Sequence, residues 1–168
     1  MPADLILIVG CSGAGKTTYA RRLADETGGI RFSIDEWMMA LFWKDSPQPL
    51  EFAWTMERVR RCEAQILAMA QQLAARGIPA ILDLGLTHKD HRDRFRQMAR
   101  EAGLSAALHF VDVPVEERWR RVERRNAEKG NTYAMTVDRG IFDLMEGMWE
   151  PPEKDEWQAN GGARIGGD

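Results

Sequence analysis

The segment that most constrains how this chain can fold is 9–18, which reads VGCSGAGKTT. It fits the pattern G-x-x-x-x-G-K-[ST], and it lies between an apolar run, Leu5–Val9, and a helix-forming stretch that begins at Lys16. An uninterrupted apolar run that enters a glycine loop is typical of a strand buried on both faces of a parallel sheet. The backbone N–H groups of such a loop point at phosphate oxygens, and the helix behind it contributes its positive N-terminus. The segment therefore predicts a strand–loop–helix unit that binds a nucleoside triphosphate.

Within this loop, we expect Lys16 to reach the β- and γ-phosphates and the hydroxyl group of Thr17 to bind magnesium. A chance glycine turn is the alternative, and the strand and helix around the motif argue against it. ATP and Mg²⁺ are the expected cofactors. A GTPase is not expected, because 126–129 (NAEK) does not match the guanine-binding pattern N-K-x-D. The predicted nucleotide-binding residues are Gly10, Cys11, Ser12, Gly13, Ala14, Gly15, Lys16, Thr17 and Thr18.

Strands alternate with helices along the rest of the chain. Strands are predicted at 30–33, 80–84 and 107–111, and helices at 16–26, 36–43, 115–129 and about 136–149. A longer helix that contains Val59 and Leu73 and another that contains Phe95 and Ala102 are predicted between them. This alternation indicates right-handed crossovers and a parallel sheet with helices on both faces, which is an α/β fold of three α/β/α layers. Only Ala163–Ile165 is available for a fifth strand. Asp112 is predicted to cap the helix at 115–129.

Composition limits the domain count and the partners. The 168 residues contain no linker or repeat, so one domain over 1–168 is expected, with a loosely held Gly-rich tail at about 158–168. The 23 basic and 26 acidic residues give a net charge of -3, which argues against a nucleic-acid partner. Cys11 and Cys62 have no metal-site spacing and are expected to be free thiols in a reducing cytoplasm. Because the sequence shows no signal peptide and no membrane helix, we expect a cytoplasmic protein without a membrane partner. We expect it to be a monomer or homodimer that acts on a small molecule.

Two aspartates follow predicted strands, where parallel sheets present loops to ligands. Asp35 could accept the proton of an attacking hydroxyl group. The alternative is that 33–36 (SIDE), a formal capping box, only starts a helix. Asp83 ends a buried strand and is predicted to orient magnesium, although a carboxylate there could instead cap the next turn.

The predicted helix at 115–129 contains five arginines, and its surroundings, about 114–130, are predicted to form a lid over the triphosphate. Arg121 and Arg125 share one helix face at i,i+4, so they are the candidates to neutralise charge during transfer. A solvated face paired with neighbouring glutamates is the alternative. On the acceptor side, Trp37 could line a pocket and Arg92 could bind an anionic group, whereas a core-facing Trp and an exposed helix arginine are the plain interpretations.

Several segments together resemble a group of small P-loop kinases that includes chloramphenicol phosphotransferase, the zeta toxins and the kinase domain of polynucleotide kinase. The resemblance covers 5–156. Besides the loop it rests on FSIDEW (32–37), ILDLGLTHKDHRDRF (81–95), VDVPVEERWRRVERRN (111–126) and MWEPPEKDE (148–156).

This resemblance implies a P-loop NTPase fold with sheet order 2-3-1-4-5 and a helical lid. It also implies that Asp35 is the general base, that Arg121 and Arg125 are the lid arginines, and that 150–156 form a loop near the nucleotide.

The expected function is therefore an ATP- and Mg²⁺-dependent kinase that transfers the γ-phosphate to a hydroxyl group of a small molecule. Two alternatives stay open at this point. One is a nucleic-acid 5′-hydroxyl kinase, and the other is a non-catalytic ATP-binding switch or toxin-like protein.

Overall fold

The computed structural model describes residues 3–129 and 136–166. The strands are β1 (Leu5–Val9), β2 (Ile30–Ser33), β3 (Ala80–Asp83), β4 (Ala106–Val111) and β5 (Ala163–Ile165). The helices are α1 (Lys16–Thr27), α2 (Ile34–Phe42), α3 (Phe52–Ala74), α4 (Lys89–Glu101), α5 (Val115–Glu128), α6 (Arg139–Met148) and α7 (Lys154–Gln158). Short 3₁₀ turns follow α2 and α7, at Trp43–Asp45 and Ala159–Gly161.

The strands form one parallel sheet in the order β2-β3-β1-β4-β5, which confirms the expected order. β1 is central and fully buried, and its side chains alternate between two cores. Leu5 and Leu7 pack with residues of α3 and α4, whereas Ile6 and Ile8 pack with residues of α1. Apolar side chains on both faces explain why the strand reads as an unbroken hydrophobic run.

The fifth strand forms where the sequence allows it. β5 pairs with the end of β4, with Phe110 opposite Arg164, and Arg164 also forms an ion pair with Asp112. Asp112 is thereby engaged away from α5, whose N-cap position is Pro114 with no side-chain cap. The expected Asp112 cap is therefore wrong. β5 lies within the segment 158–168 that was expected to be loosely held, and the flexibility of that segment stays a prediction.

Helix ends differ from the expectations by a few residues. α2 begins at Ile34, two residues earlier than expected, because the Ser33 hydroxyl accepts a hydrogen bond from the Glu36 amide. α6 begins at Arg139, where the Asp138 carboxylate caps the Ile141 amide at 2.8 Å. The short helix α7 was not expected at all.

Within the described ranges, no helix is both long and apolar enough to cross a membrane.

Candidate functional site

The phosphate-binding loop requires glycine at several positions for steric reasons. Gly13 and Gly15 have φ angles of +79° and +91°, where side chains with a Cβ are strained. A Cβ atom at Gly13 would lie 2.6 Å from the carbonyl oxygen of Arg118, and one at Gly10 would lie 2.7 Å from that of Val111. The loop is thus packed closely between β4 and α5, with its backbone shaped for a phosphate group.

Beside the loop, the structure brings together the two residues expected to bind magnesium. The Thr17 hydroxyl donates a hydrogen bond to Asp83 Oδ2 at 2.8 Å. Asp83 is buried at the end of β3, next to β1 in the sheet, so it reaches the first turn of α1. A hydroxyl and a carboxylate are the hard oxygen donors that Mg²⁺ prefers.

The described residues contain no group of three or more His, Cys, Asp or Glu side chains that could hold a metal ion alone.

The side chains of Lys16 and Asp35 influence each other's pKa, and the carboxylate of Asp83 influences both. Burial lowers the pKa of Lys16, and the neighbouring carboxylates of Asp83 and Asp35 oppose that shift. Without phosphate, the ammonium group donates to the Cys11 carbonyl at 3.2 Å. Asp35 is solvent-accessible, yet desolvation raises the pKa of its carboxyl group, Asp83 raises it further, and Lys16 lowers it. Asp35 is thus electrostatically coupled to both Lys16 and Asp83.

The first turn of α2 contains both features that the sequence left open. Ser33 caps the helix, but the reciprocal half of the capping box is absent among the described contacts: the Glu36 side chain binds Arg31 and Arg21 instead. The Asp35 side chain makes no hydrogen bond or ion pair within the described part of the chain, so its carboxylate is free to face a ligand. A helix cap and a free carboxylate therefore occur together here.

Helix α5 directs Arg121 toward the loop. Arg121 Nη1 donates to the Ala14 carbonyl at 3.2 Å, and its other nitrogen pairs with Glu117. Arg125 is half-buried, and its Nε atom is buried without a hydrogen-bond partner in the part of the chain that the structure describes. Arg121 thus has an intrahelical glutamate partner and also lies over the loop, while the roles expected for Arg121 and Arg125 in phosphate transfer stay predictions.

Arg118 is a residue of this site that the sequence analysis missed. It is buried, donates to the Ser12 carbonyl at 3.3 Å and pairs with Glu146 of α6 at 2.8 Å. The Cys11 thiol donates to the same carboxylate at 3.2 Å, and burial raises the pKa of that thiol. Cys11 is therefore a neutral buried group. The sequence signal for Arg118 was its position in α5, one turn before Arg121.

A second missed residue is Arg31 on β2. Its guanidinium group lies 2.5 Å from Glu36 Oε1 and 3.7 Å from Asp83 Oδ2. The signal lay in the strand pattern: Arg31 shares a sheet face with Ser33, and the register places Ser33 opposite Asp83.

Arg92 does not lie where the acceptor prediction requires it. It is fully buried, forms a two-pronged ion pair with Glu156 at 2.9 and 3.1 Å, and donates to the carbonyl oxygens of Leu86, Thr87 and Glu150. With these donors occupied, Arg92 joins α4 to the C-terminal segment. We therefore do not include it in the acceptor site.

Arg94, also on α4, is partly exposed and donates to Glu63 Oε2 at 3.1 Å. It lines a depression of about 460 Å³ together with Met56, His88, Asp90, His91 and Glu150. Trp37 is half-buried and packs edge-on against Phe32, with ring centroids 6.1 Å apart. Its indole is thus largely part of the core.

The chain matches a family model described as an AAA domain over residues 5–152. A probable adenylyl-sulfate kinase of Aeropyrum pernix is 29% identical over 154 residues, which cover 89% of this chain and 78% of that protein. A shikimate kinase of Xanthomonas campestris pv. campestris is 32% identical over 119 residues, which cover 68% of this chain and 60% of that protein.

Among solved structures, the Mycobacterium tuberculosis APS kinase in complex with AMPPNP and APS superimposes with a TM-score of 0.63 at 22% identity, covering 98% of this chain and 89% of that one. This likeness shows the common fold. Since the family model spans most of the sequence and the relatives are kinases, the chain belongs to the AAA domain family and is a P-loop phosphotransferase of the kinase type.

Proposed function

We propose that this kinase uses ATP and Mg²⁺ and transfers the γ-phosphate to a hydroxyl group of a small molecule. The observation that carries the proposal is the contact between Thr17 and Asp83 beside Lys16, with the carboxylate of Asp35 coupled to both charges. This set contains a phosphate cradle, oxygen ligands for a divalent cation, and a nearby base, which are the parts that phosphoryl transfer needs.

Each residue has a defined task in this proposal. The loop amides hold the phosphate oxygens, and Lys16 leaves the Cys11 carbonyl to bind the β- and γ-phosphates. Thr17 and Asp83 hold the magnesium ion directly or through water. Bound ATP–Mg²⁺ supplies the transferable phosphoryl group and screens its charge.

Asp35 accepts the proton of the acceptor hydroxyl as that oxygen bonds to the γ-phosphorus and the bond to the β-phosphate oxygen breaks. Arg121 exchanges the Ala14 carbonyl for a phosphoryl oxygen, and Arg125, one turn further along α5, contributes a second positive charge. Both cations stabilise charge that grows during transfer.

The depression beside Arg94 is our candidate for the acceptor site. One of its lining residues, His88, comes five residues after Asp83 at the end of β3. The depression offers hydrogen-bond donors and acceptors together with the apolar surface of Met56. Its size suits a small molecule. The net charge of -3 supports a small acceptor over a nucleic acid, and a cytoplasmic monomer or homodimer remains part of the proposal.

The test is mass spectrometry of a bacterial metabolite extract, supplemented with candidate hydroxyl acceptors and incubated with ATP–Mg²⁺. We expect one class of compound to gain a phosphate with the wild type and the Lys154→Ala control, which changes an exposed lysine. We expect product formation to fall about a hundredfold or more with Lys16→Ala. With the acceptor identified, Arg94→Ala should raise its KM.

If the protein binds ATP but phosphorylates nothing in the extract, the small-molecule kinase proposal is wrong. A nucleotide-dependent change in partner binding would then favour the switch. Transfer to an oligonucleotide 5′ end, lost steeply with added salt, would favour the nucleic-acid kinase.

A further inference from the structure

One buried cation of the site has no task in the proposed reaction. The Arg31 side chain is 15% exposed, and its Nη1 atom lacks a hydrogen-bond partner among residues 3–129 and 136–166. That atom lies 3.7 Å from Asp83 Oδ2, while Nη2 contacts Glu36 Oε1. A buried donor without a partner is costly, so its position needs a reason.

The register of the sheet fixes this position. Arg31 lies opposite Ile81, and Ser33 lies opposite Asp83. Alternation places Arg31 and Asp83 on the same face of the sheet, the one that packs with α1. Arg31 therefore approaches Asp83 from the neighbouring strand, while Thr17 approaches it from the first turn of α1.

The charges around Asp83 change when the nucleotide binds. Lys16 lies near Asp83 in the free protein, but the proposed function assigns Lys16 to the phosphates. Arg31 is part of the sheet and stays in place. It is thus a permanent positive charge beside a buried carboxylate that has been assigned to the metal ion.

We propose that Arg31 is a counter-ion for Asp83 that stabilises this carboxylate before magnesium arrives and competes with the metal for it. Arg31 is a positioning residue in this scheme, because it acts through Asp83 and touches neither substrate nor phosphate. The inference rests on the assignment of Asp83 to magnesium in the proposed function. It implies that the chain trades magnesium affinity for stability of the metal-free site.

The sign of the effect follows from electrostatics. A positive charge close to a ligand oxygen opposes the binding of a second cation there, and a buried carboxylate that loses a positive neighbour destabilises the folded protein. Neutralising Arg31 should therefore lower stability without metal and should also strengthen magnesium binding. A residue that only fills space would lower stability without changing the magnesium dependence.

The experiment compares Arg31→Met with Arg21→Met. Arg21 pairs with the same Glu36 oxygen, at 3.4 Å, whereas the arginine that pairs with Asp83 is Arg31. Melting temperature is measured with EDTA and with increasing Mg²⁺, and binding of a non-hydrolysable ATP analogue is titrated at several Mg²⁺ concentrations.

For Arg31→Met we expect a lower melting temperature in EDTA, a larger rise with Mg²⁺, and a half-saturating Mg²⁺ concentration about fivefold lower than in the wild type. Arg21→Met should keep the Mg²⁺ dependence of the wild type. An unchanged or higher magnesium requirement in Arg31→Met would overturn the inference, as would equal behaviour of the two variants.

Two further variants keep the test decisive. If Arg31→Met does not fold, Arg31→Gln replaces it as the neutral variant, and Arg31→Lys, which keeps the charge, should retain the magnesium dependence of the wild type. In an Asp83→Asn background, neutralising Arg31 should no longer change that dependence, because the two residues act as a pair.

The outcomes separate this inference from the proposed function. A wild-type protein whose nucleotide binding does not respond to Mg²⁺ contradicts the assignment of Asp83 and both proposals with it. A normal response that neutralising Arg31 leaves unchanged contradicts only the counter-ion.

Discussion

The carboxyl group of Asp35 is where the proposed chemistry depends most on a single residue. Although Asp35 is solvent-accessible, desolvation by the surrounding protein and the charge of Asp83 raise its pKa, and Lys16 opposes them. Since only the ionised form accepts a proton, transfer should decline on the acid side at a higher pH than an ordinary aspartate would cause. Asp35→Asn should lower turnover about a hundredfold or more, remove this acid limb, and leave ATP affinity unchanged.

The measurement is a pH profile of turnover, beside nucleotide titrations. Asp25→Asn, a change at an exposed aspartate of α1, is the matched control and should behave as the wild type. Unchanged turnover in Asp35→Asn would leave Asp35 as no more than an acidic residue in the first turn of α2.

At this same scale, what the sequence could predict depends on how far apart the contacting residues are. The loop residues and Thr17 follow from spacing within one segment, and Asp83 follows from its place at a strand end. Arg31 and Arg92 depend on strand register and on a partner 64 residues away, which no local pattern contains. Arginines look alike in sequence, and only packing separates the buried ones from the exposed ones.

Among the elements, α5 is the one whose orientation decides the function of its residues. Arg121 faces the loop, whereas Arg120 next to it is exposed. Removing Arg121 should remove charge stabilisation from the transferring phosphoryl group, so Arg121→Ala should lower turnover about a hundredfold with little change in ATP affinity. Arg120→Ala should have no such effect. Steady-state kinetics of both variants test this. If the two variants have the same turnover, Arg121 contributes only its intrahelical pair with Glu117 and not to catalysis.

The elements themselves were largely predictable because their signals are local. Unbroken apolar runs marked the central strands, and glycines marked the ends of α1 and α3. The Asp112 cap was mispredicted because β5, distant in sequence, supplies Arg164 as a competing partner. The short helix α7 was missed because its five residues are too few to show a helical period.

At the scale of the whole molecule, the buried ion pair of Arg92 and Glu156 connects helix α4 to the C-terminal segment. Glu156 is 4% exposed, and desolvation alone would raise its pKa. Hydrogen bonds from Arg92 and from the Glu153 amide outweigh this and hold the pKa below its usual value of 4.5. A carboxylate with a depressed folded pKa contributes stability above its unfolded pKa, and that stability is lost as pH falls through the folded value.

Glu156→Gln should therefore lower the free energy of unfolding at neutral pH by about 3 kcal/mol, because it leaves the Arg92 charge buried without a counter-ion. Its stability should also fall less steeply than that of the wild type below pH 4.5. Arg92→Met should cost more, since it also removes the donor to three carbonyl oxygens. Urea unfolding at several pH values measures both variants, with Asp155→Asn, an exposed change on α7, as the control. Wild-type stability in Arg92→Met would return this arginine to the candidates for binding a ligand, because the pair would then contribute nothing to the fold.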